Sequence, residues 1–197
     1  MVSKGADTRQ QILGEALAAA STHGLAGLTI GNLAKTVGMS KSGRFAHFRS
    51  KEQLQLEVLE EASSRFLHDV IKPSIQKPRG EPRLRELFRR WLQWAEAPYL
   101  PGGCPFVAAA VELDDQEGPA REFLVRSQSE WIAALKRAAQ ITIEEGHFKK
   151  DVAAEQFAFE FHSLMLGFHF HHRLLRQRGA RKLVQAAFER LLDQAKA

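Results

Sequence analysis

The chain has 197 residues, 44% hydrophobic and 26% charged, with a formal net charge of +5. That is long enough for a real core in one or two small domains. No apolar run approaches the ~18–20 residues of a membrane helix, MVSKGADTRQQ lacks the apolar stretch of a secretion signal, and one cysteine, Cys104, excludes an internal disulfide. A cytoplasmic protein without a membrane partner is expected.

The charge is uneven. Residues 1–55 carry seven Lys/Arg against three acids, a net +4, whereas the other 142 residues carry 21 against 20. A basic segment on a near-neutral body suggests that one end meets a polyanion.

Nearly every segment longer than ten residues has helical period. Residues 7–23 put Ile12, Leu13, Ala16, Leu17 and Ala20 on one face, and Gly24 follows as a stop. Thr29 can cap a short helix to Val37, with Ile30, Leu33, Ala34 and Val37 inward. Gly38-Met39 then turns, Ser40 caps a second short helix, and Ser50 with Gln53 forms a capping box for a long one. That helix is predicted over 51–71, on the ladder Leu54, Val58, Ala62, Phe66 and Val70, and KPSIQKPRGEP (72–82) reads as a linker. Leu84, Leu87, Phe88, Trp91, Leu92 and Ala95 mark the next helix, which APYLPGG (97–103) breaks. Pro105 opens a helix through Leu113, and Gly118-Pro119 opens one through Glu145, closed by Gly146. Asp151 is expected to cap a helix reaching about Gln177, and 180–195 form the last. The prediction is an all-α protein of about nine helices.

A helix, a glycine turn and a second short helix outline a helix-turn-helix, whose second helix enters the DNA major groove. In GMSKSGRFAHFRSKEQL (38–54), Ser40 and Ser50 leave backbone N–H groups at two helix starts, each a natural phosphate site. Lys41 and Lys51 add a positive charge beside each start. Phe45 and Phe48 suit the core, leaving Lys41, Ser42, Arg44, His47 and Arg49 to face nucleic acid.

From Thr8 to Leu54 the chain resembles the DNA-binding domain of the tetracycline-repressor (TetR) family of transcriptional regulators. TRQQILGEAL, THGLAGLTIGNLAKTVGMSKS and FAHFRSKEQL carry the resemblance. It implies that the short helix at 40–46 reads the groove, and that Lys51 and groups around Thr29 and Ser40 contact phosphates. It implies a DNA-binding domain at 1–54 and a helical effector-binding and dimerisation domain at 55–197, joined by helix 51–71. The chain departs from the family at Gly43, where a hydroxyl is usual, and at Arg44, where an aliphatic residue is usual. It departs again at Phe45 and His47, where tyrosine is favoured, so two familiar phosphate-contacting hydroxyls are missing. Arg44 can replace them at phosphate, pair with guanine, or turn away from DNA.

In the second half, the helix predicted from 152 carries two apolar stripes. One is Phe157, Phe161, Leu164, Met165 and Phe168; the other is Phe159, Leu166 and Phe170. The last helix has apolar pairs at Leu183/Val184, Ala187/Phe188 and Leu191/Leu192. A helix apolar on two sides needs two neighbours, which points to a homodimer of two-fold symmetry matching a palindromic operator, with Phe159, Leu166, Phe170, Leu183, Val184, Ala187, Phe188 and Leu191 expected at its interface. The resemblance implies a small-molecule effector. Trp91, Trp94, Phe106, Trp131, Phe161 and Met165 are the apolar candidates for its pocket, and Cys104, Ser127 and His162 the polar ones.

FHFHHR (168–173) invites a metal reading, but zinc wants three or four ligands and no acid or second cysteine joins these histidines. There is no phosphate-cradling glycine loop, HExxH or nucleophile elbow, and the adjacent Asp114-Asp115 point apart on a helix. Neither an enzyme, a metal nor a cofactor is expected. The expected function is a DNA-binding regulator, a repressor released by a small, largely apolar effector. The alternative is a helical protein-interaction module whose basic head meets an acidic partner.

Overall fold

The computed structural model describes residues 4–29 and 50–197, with side chains from Arg9 onward in the first stretch. Apart from a single antiparallel bridge between Phe148 and Lys196, the regular structure described is all helical. In order, α1 is Lys4–His23, α2 Lys51–Phe66, α3 Lys72–Ile75, α4 Glu81–Ala95, α5 Pro105–Leu113, α6 Pro119–Glu144, α7 Ala154–His169 and α8 Ala180–Ala195. A π-turn over Leu67–Ile71 joins α2 to α3, so the described residues form seven separate helices. The short helices expected at 29–37 and 40–46 lie outside the described residues. Among the described residues no helix is long and apolar enough to cross a membrane.

Boundaries follow local chemistry. α1 stops at Gly24, whose φ of +74° only glycine adopts without strain, and its N–H returns to the Ala20 carbonyl at 2.9 Å. α2 starts at Ser50, whose Oγ accepts from the Gln53 N–H at 3.0 Å. The expected capping box is half made, because the Gln53 side chain turns to Glu57 Oε1 at 3.0 Å instead.

Three expectations need correction. The stretch from 72 was read as a linker, yet the helical rod continues to Ile75. Pro73 has no N–H to give, and the wider π-turn ahead of it keeps the ladder closed through Lys72 N–H to Leu67 O. Pro82 sits in the first turn of α4, where its missing N–H costs nothing. Asp151 does not cap α7; Ala153 is the N-cap and makes no side-chain cap bond. The α-helical ladder there ends at His169 and passes into a second π-turn over Phe170–Leu174 rather than running to Gln177.

Packing groups the described residues into two compact units. The first holds those up to Arg65 together with Glu96–Arg126, the second Phe66–Ala95 with Ser127–Ala197. In the first, Leu17, Leu54, Val58, Leu59 and Ala62 are fully buried beside Leu28, Leu100 and Ala109. Arg9 pairs with Glu57 at 2.6 Å, and Arg65 bonds Glu61 at 2.6 Å while lying over the Tyr99 ring at 5.2 Å.

The second unit is built on aromatic packing. Phe88 stacks on Phe188 at 4.0 Å, and Phe161 meets both edge-on at 5.7 and 5.1 Å. Phe66 contacts Trp94 and Trp131 edge-on at 5.4 and 5.1 Å. Lys149 N–H to Ala195 O and Ala197 N–H to His147 O tie the end of α8 to the α6–α7 connection.

Candidate functional site

The segment that leads from α1 toward residue 30 is held on three sides within the first unit. The Glu112 carboxylate, near the end of α5, accepts from the Leu25 N–H at 3.1 Å and the Ala26 N–H at 2.8 Å. Lys51 Nζ, in the first turn of α2, donates to the Ala26 carbonyl at 2.6 Å, and Gln55 Nε2 donates to the Leu25 carbonyl at 2.9 Å. One turn earlier, Ser21 Oγ accepts from the Gly102 N–H at 2.9 Å. Glycine is required on both sides of this clamp. A Cβ on Gly24 would lie 1.9 Å from Glu112 Oε1, and one on Gly102 would lie 1.5 Å from the Ser21 carbonyl oxygen. A polar depression of about 380 Å³ opens beside the clamp, lined by Lys51, Glu52, Gln55, Glu112, Gln116 and Arg121 among others.

Of the expected DNA contacts, Ser40, Lys41, Ser42, Arg44, His47 and Arg49 lie outside the described residues. Thr29 and Lys51 are described and exposed, and the Lys51 ammonium is bonded to backbone. Sequence reasoning missed Glu112. Its signal was a lone carboxylate in an alanine-rich helix, but its partners stand 86 and 87 positions away.

The expected pocket residues are divided between the units. Cys104 and Phe106 are buried in the first; Trp91, Trp94, Trp131, Phe161 and Met165 are buried in the second. Ser127 is half-buried there, as is His162, whose imidazole burial holds below its usual value.

The two stripes of α7 separate as expected. Phe157, Phe161, Met165 and Phe168 are buried, whereas Phe159 is 67% exposed, Leu166 41% and Phe170 51%. On α8, Leu183 is 57% exposed and Ala187 half-buried, but Val184, Phe188 and Leu191 are buried in the chain's own core. Between these helices runs a groove of about 350 Å³ with Gly167, Phe168, His171, Leu183, Val184, Ala187 and Arg190 among its walls. Of the histidines, His172 stacks on Phe168 at 5.0 Å and His171 Nδ1 shares a 2.5 Å hydrogen bond with Gln177 Oε1. Among the described residues no three His, Cys, Asp or Glu side chains group to hold a metal.

Comparison with known proteins places this geometry. Residues 12–58 match the family described as bacterial regulatory proteins, tetR family, and residues 80–188 match the tetracyclin repressor-like C-terminal domain. The second match alone spans more than half the chain, so the protein belongs to the TetR family of transcriptional regulators. A TetR transcriptional regulator from Chloroflexus aurantiacus J-10-FL is 26% identical over 96% of this chain and 94% of its own, with a TM-score of 0.84. A TetR-family regulator from Cytophaga hutchinsonii is 21% identical over 100% and 98%, with a TM-score of 0.83. AibR, solved in complex with isovaleryl coenzyme A and operator DNA, has the same fold at 20% identity, with 82% and 85% covered and a TM-score of 0.68. No curated protein matches the chain.

Proposed function

We propose that this regulator is a cytoplasmic homodimeric repressor that binds a palindromic operator and leaves it when a small, largely apolar effector enters the C-terminal helices. It acts by binding, without catalysis. The observation that carries the reading is the backbone of Ala26, whose carbonyl accepts from Lys51 and whose N–H donates to the Glu112 carboxylate. Ala26 and Lys51 lie in the DNA-binding match and Glu112 in the C-terminal one. A shift of α5 is therefore felt in the segment entering residues 30–49. The effector must favour the shifted state, since equal affinity for both would change nothing.

Thr29, Ser40, Lys41, Ser42, Arg44, His47, Arg49 and Lys51 are assigned to DNA, with Lys51 exchanging the Ala26 carbonyl for phosphate. The effector is assigned to the second unit, to the aromatic residues Trp91, Trp94, Trp131 and Phe161 and to Met165, with Ser127 and His162. The exposed side chains of Phe159, Leu166, Phe170 and Leu183, with half-buried Ala187, are assigned to the second copy; apolar side chains left exposed together on two helices fit an interaction site. That AibR was solved with a coenzyme A thioester and operator DNA supports placing both ligands on one such chain.

The test is fluorescence anisotropy on DNA flanking the protein's own gene and on DNA selected from a random pool, with excess competitor at several salt concentrations. Tight, competitor-resistant binding by two chains per site is expected, falling steeply with salt. Lys51→Ala should weaken all sequences alike and flatten the salt dependence. Weak, sequence-blind binding to every pool would overturn the reading.

A further inference from the structure

We propose that the connection between α7 and α8 is a second DNA-contacting surface, which grips operator phosphates apart from the groove-reading segment. This rests on the operator-binding reading above. From Phe161 to Phe188 the chain has no acidic residue, five Lys/Arg and four histidines. Arg173, Arg176, Arg178 and Lys182 are exposed, and none of them makes an ion pair among the described residues. Elsewhere in the same unit five arginines are ion-paired, Arg83 donates to the Ile75 and Lys77 carbonyls, and Arg190 makes no ion pair among the described residues. Arg79 bonds Glu144 and Glu145, Arg85 bonds Glu81 and Glu189, Arg89 and Arg90 share Glu86, and Arg137 bonds Glu144.

Four unpaired cations within ten residues repel one another, and an added polyanion relieves the repulsion. Dimerisation sharpens this. Phe170 and Leu174 continue the exposed stripe of Phe159 and Leu166, so a second copy on that face brings both sets of cations together. It also covers the apolar residues that a lipid surface would need, leaving guanidinium and ammonium groups as the chemistry on offer. Guanidinium groups match phosphate oxygens in geometry and charge. The connection stands at the end of its unit where Phe168 packs on Trp91 and Phe66 on Trp94, beside the residues where the chain enters and leaves that unit.

The full-length protein first selects its operator from random DNA. Arg173→Gln/Arg178→Gln/Lys182→Gln is then compared with Lys72→Gln/Lys77→Gln/Lys150→Gln, which removes equal charge from exposed lysines elsewhere in the unit. The first variant should stay dimeric by sedimentation and lose about tenfold or more in operator affinity at ~100 mM salt. Its plot of log Kd against log salt should flatten by about two, the release expected from two or more lost phosphate contacts per dimer. The control should stay within about threefold of wild type. Without any mutation, phenylglyoxal labelling read by mass spectrometry should show Arg173, Arg176 and Arg178 protected by operator and Arg79 unchanged.

Equal behaviour of the two variants, or equal labelling with and without operator, would overturn the proposal while leaving the regulator reading intact. Unchanged operator binding with variant-sensitive binding to phosphatidylglycerol vesicles would overturn it in favour of a membrane. A wild-type protein that selects no sequence would remove the operator reading itself and this proposal with it.

Discussion

At the scale of single residues, the Ala26 peptide shows how a side chain with one expected task can perform another. Lys51 reads as a phosphate ligand because it follows the Ser50 cap, and that reading concerns chemistry at a helix start. In the fold the same ammonium reaches a backbone carbonyl 25 positions earlier. Glu112 completes the clamp with two charge-assisted hydrogen bonds. Glu112→Ala should therefore lower stability by about 1–2 kcal/mol, at the lower end for bonds to a charged group because the site is partly exposed. Amide hydrogen exchange at Leu25 and Ala26 should accelerate in this variant, and operator affinity should fall while sedimentation still shows a dimer. Exchange at those two amides unchanged from wild type would remove Glu112 from the clamp.

At the scale of elements, α4 carries its own electrostatic brace. Glu86 is buried and accepts from Arg89 Nε and Arg90 Nε, each at 2.8 Å. The hydrogen bond from Arg89, assisted by Arg90 and opposed by burial, pulls its carboxyl down to about 2. A carboxyl that titrates lower folded than unfolded stabilises the fold above the unfolded value of ~4.3, and that stabilisation is lost as pH falls toward 2. Both arginines are a third or more exposed, so solvent screening reduces the contribution to about 1–2 kcal/mol. Glu86→Gln should then lower Tm by about 2–6 °C at pH 7. The gap to wild type should close as pH is lowered from ~5 to ~2; a gap independent of pH would show that packing, not charge, accounts for it.

The same scale shows where element reading succeeds. Helix periodicity located α1 and α4 through α6, and the two stripes of α7, because apolar spacing is local information. It failed where proline entered. KPSIQKPRGEP contains three prolines, and composition alone reads them as a linker. Pro73 instead follows a π-turn and Pro82 sits in a first turn, two places where a missing N–H is harmless. The expected end of α7 lies too far along for a related reason: a π-turn continues the helical winding but replaces the i to i−4 ladder by i to i−5 bonds, as from Leu175 N–H to Phe170 O at 3.2 Å.

At the scale of the whole molecule, the exposed stripe on α7 and Leu183 on α8 set the prediction. Phe159→Asp with Leu183→Asp alters side chains 67% and 57% exposed in the protomer, so the fold should lose less than ~0.5 kcal/mol. Sedimentation velocity should show the dimer replaced by a monomer of unchanged far-UV circular dichroism, with operator affinity reduced by about 100-fold or more as the two heads separate. A dimer that survives both changes would place the interface elsewhere.

The family, the all-helical class and the basic character of the first quarter were legible in the residue order. Motif spacing, caps and hydrophobic period act between near neighbours, and TRQQILGEAL, THGLAGLTIGNLAKTVGMSKS and FAHFRSKEQL keep theirs. The inward turn of Val184, Phe188 and Leu191 on α8 was not legible. Phe188 and Phe159 look alike in a helical pattern, yet one stacks on Phe88 in the core and the other faces solvent. Nor was the grip of Glu112 on Leu25 and Ala26, or the contrast between the ion-paired Arg85, Arg89 and Arg90 on α4 and Arg173, Arg176 and Arg178 after α7, which make no ion pair among the described residues. Those depend on which helices lie side by side, and helical period says only that a face is apolar, never what covers it.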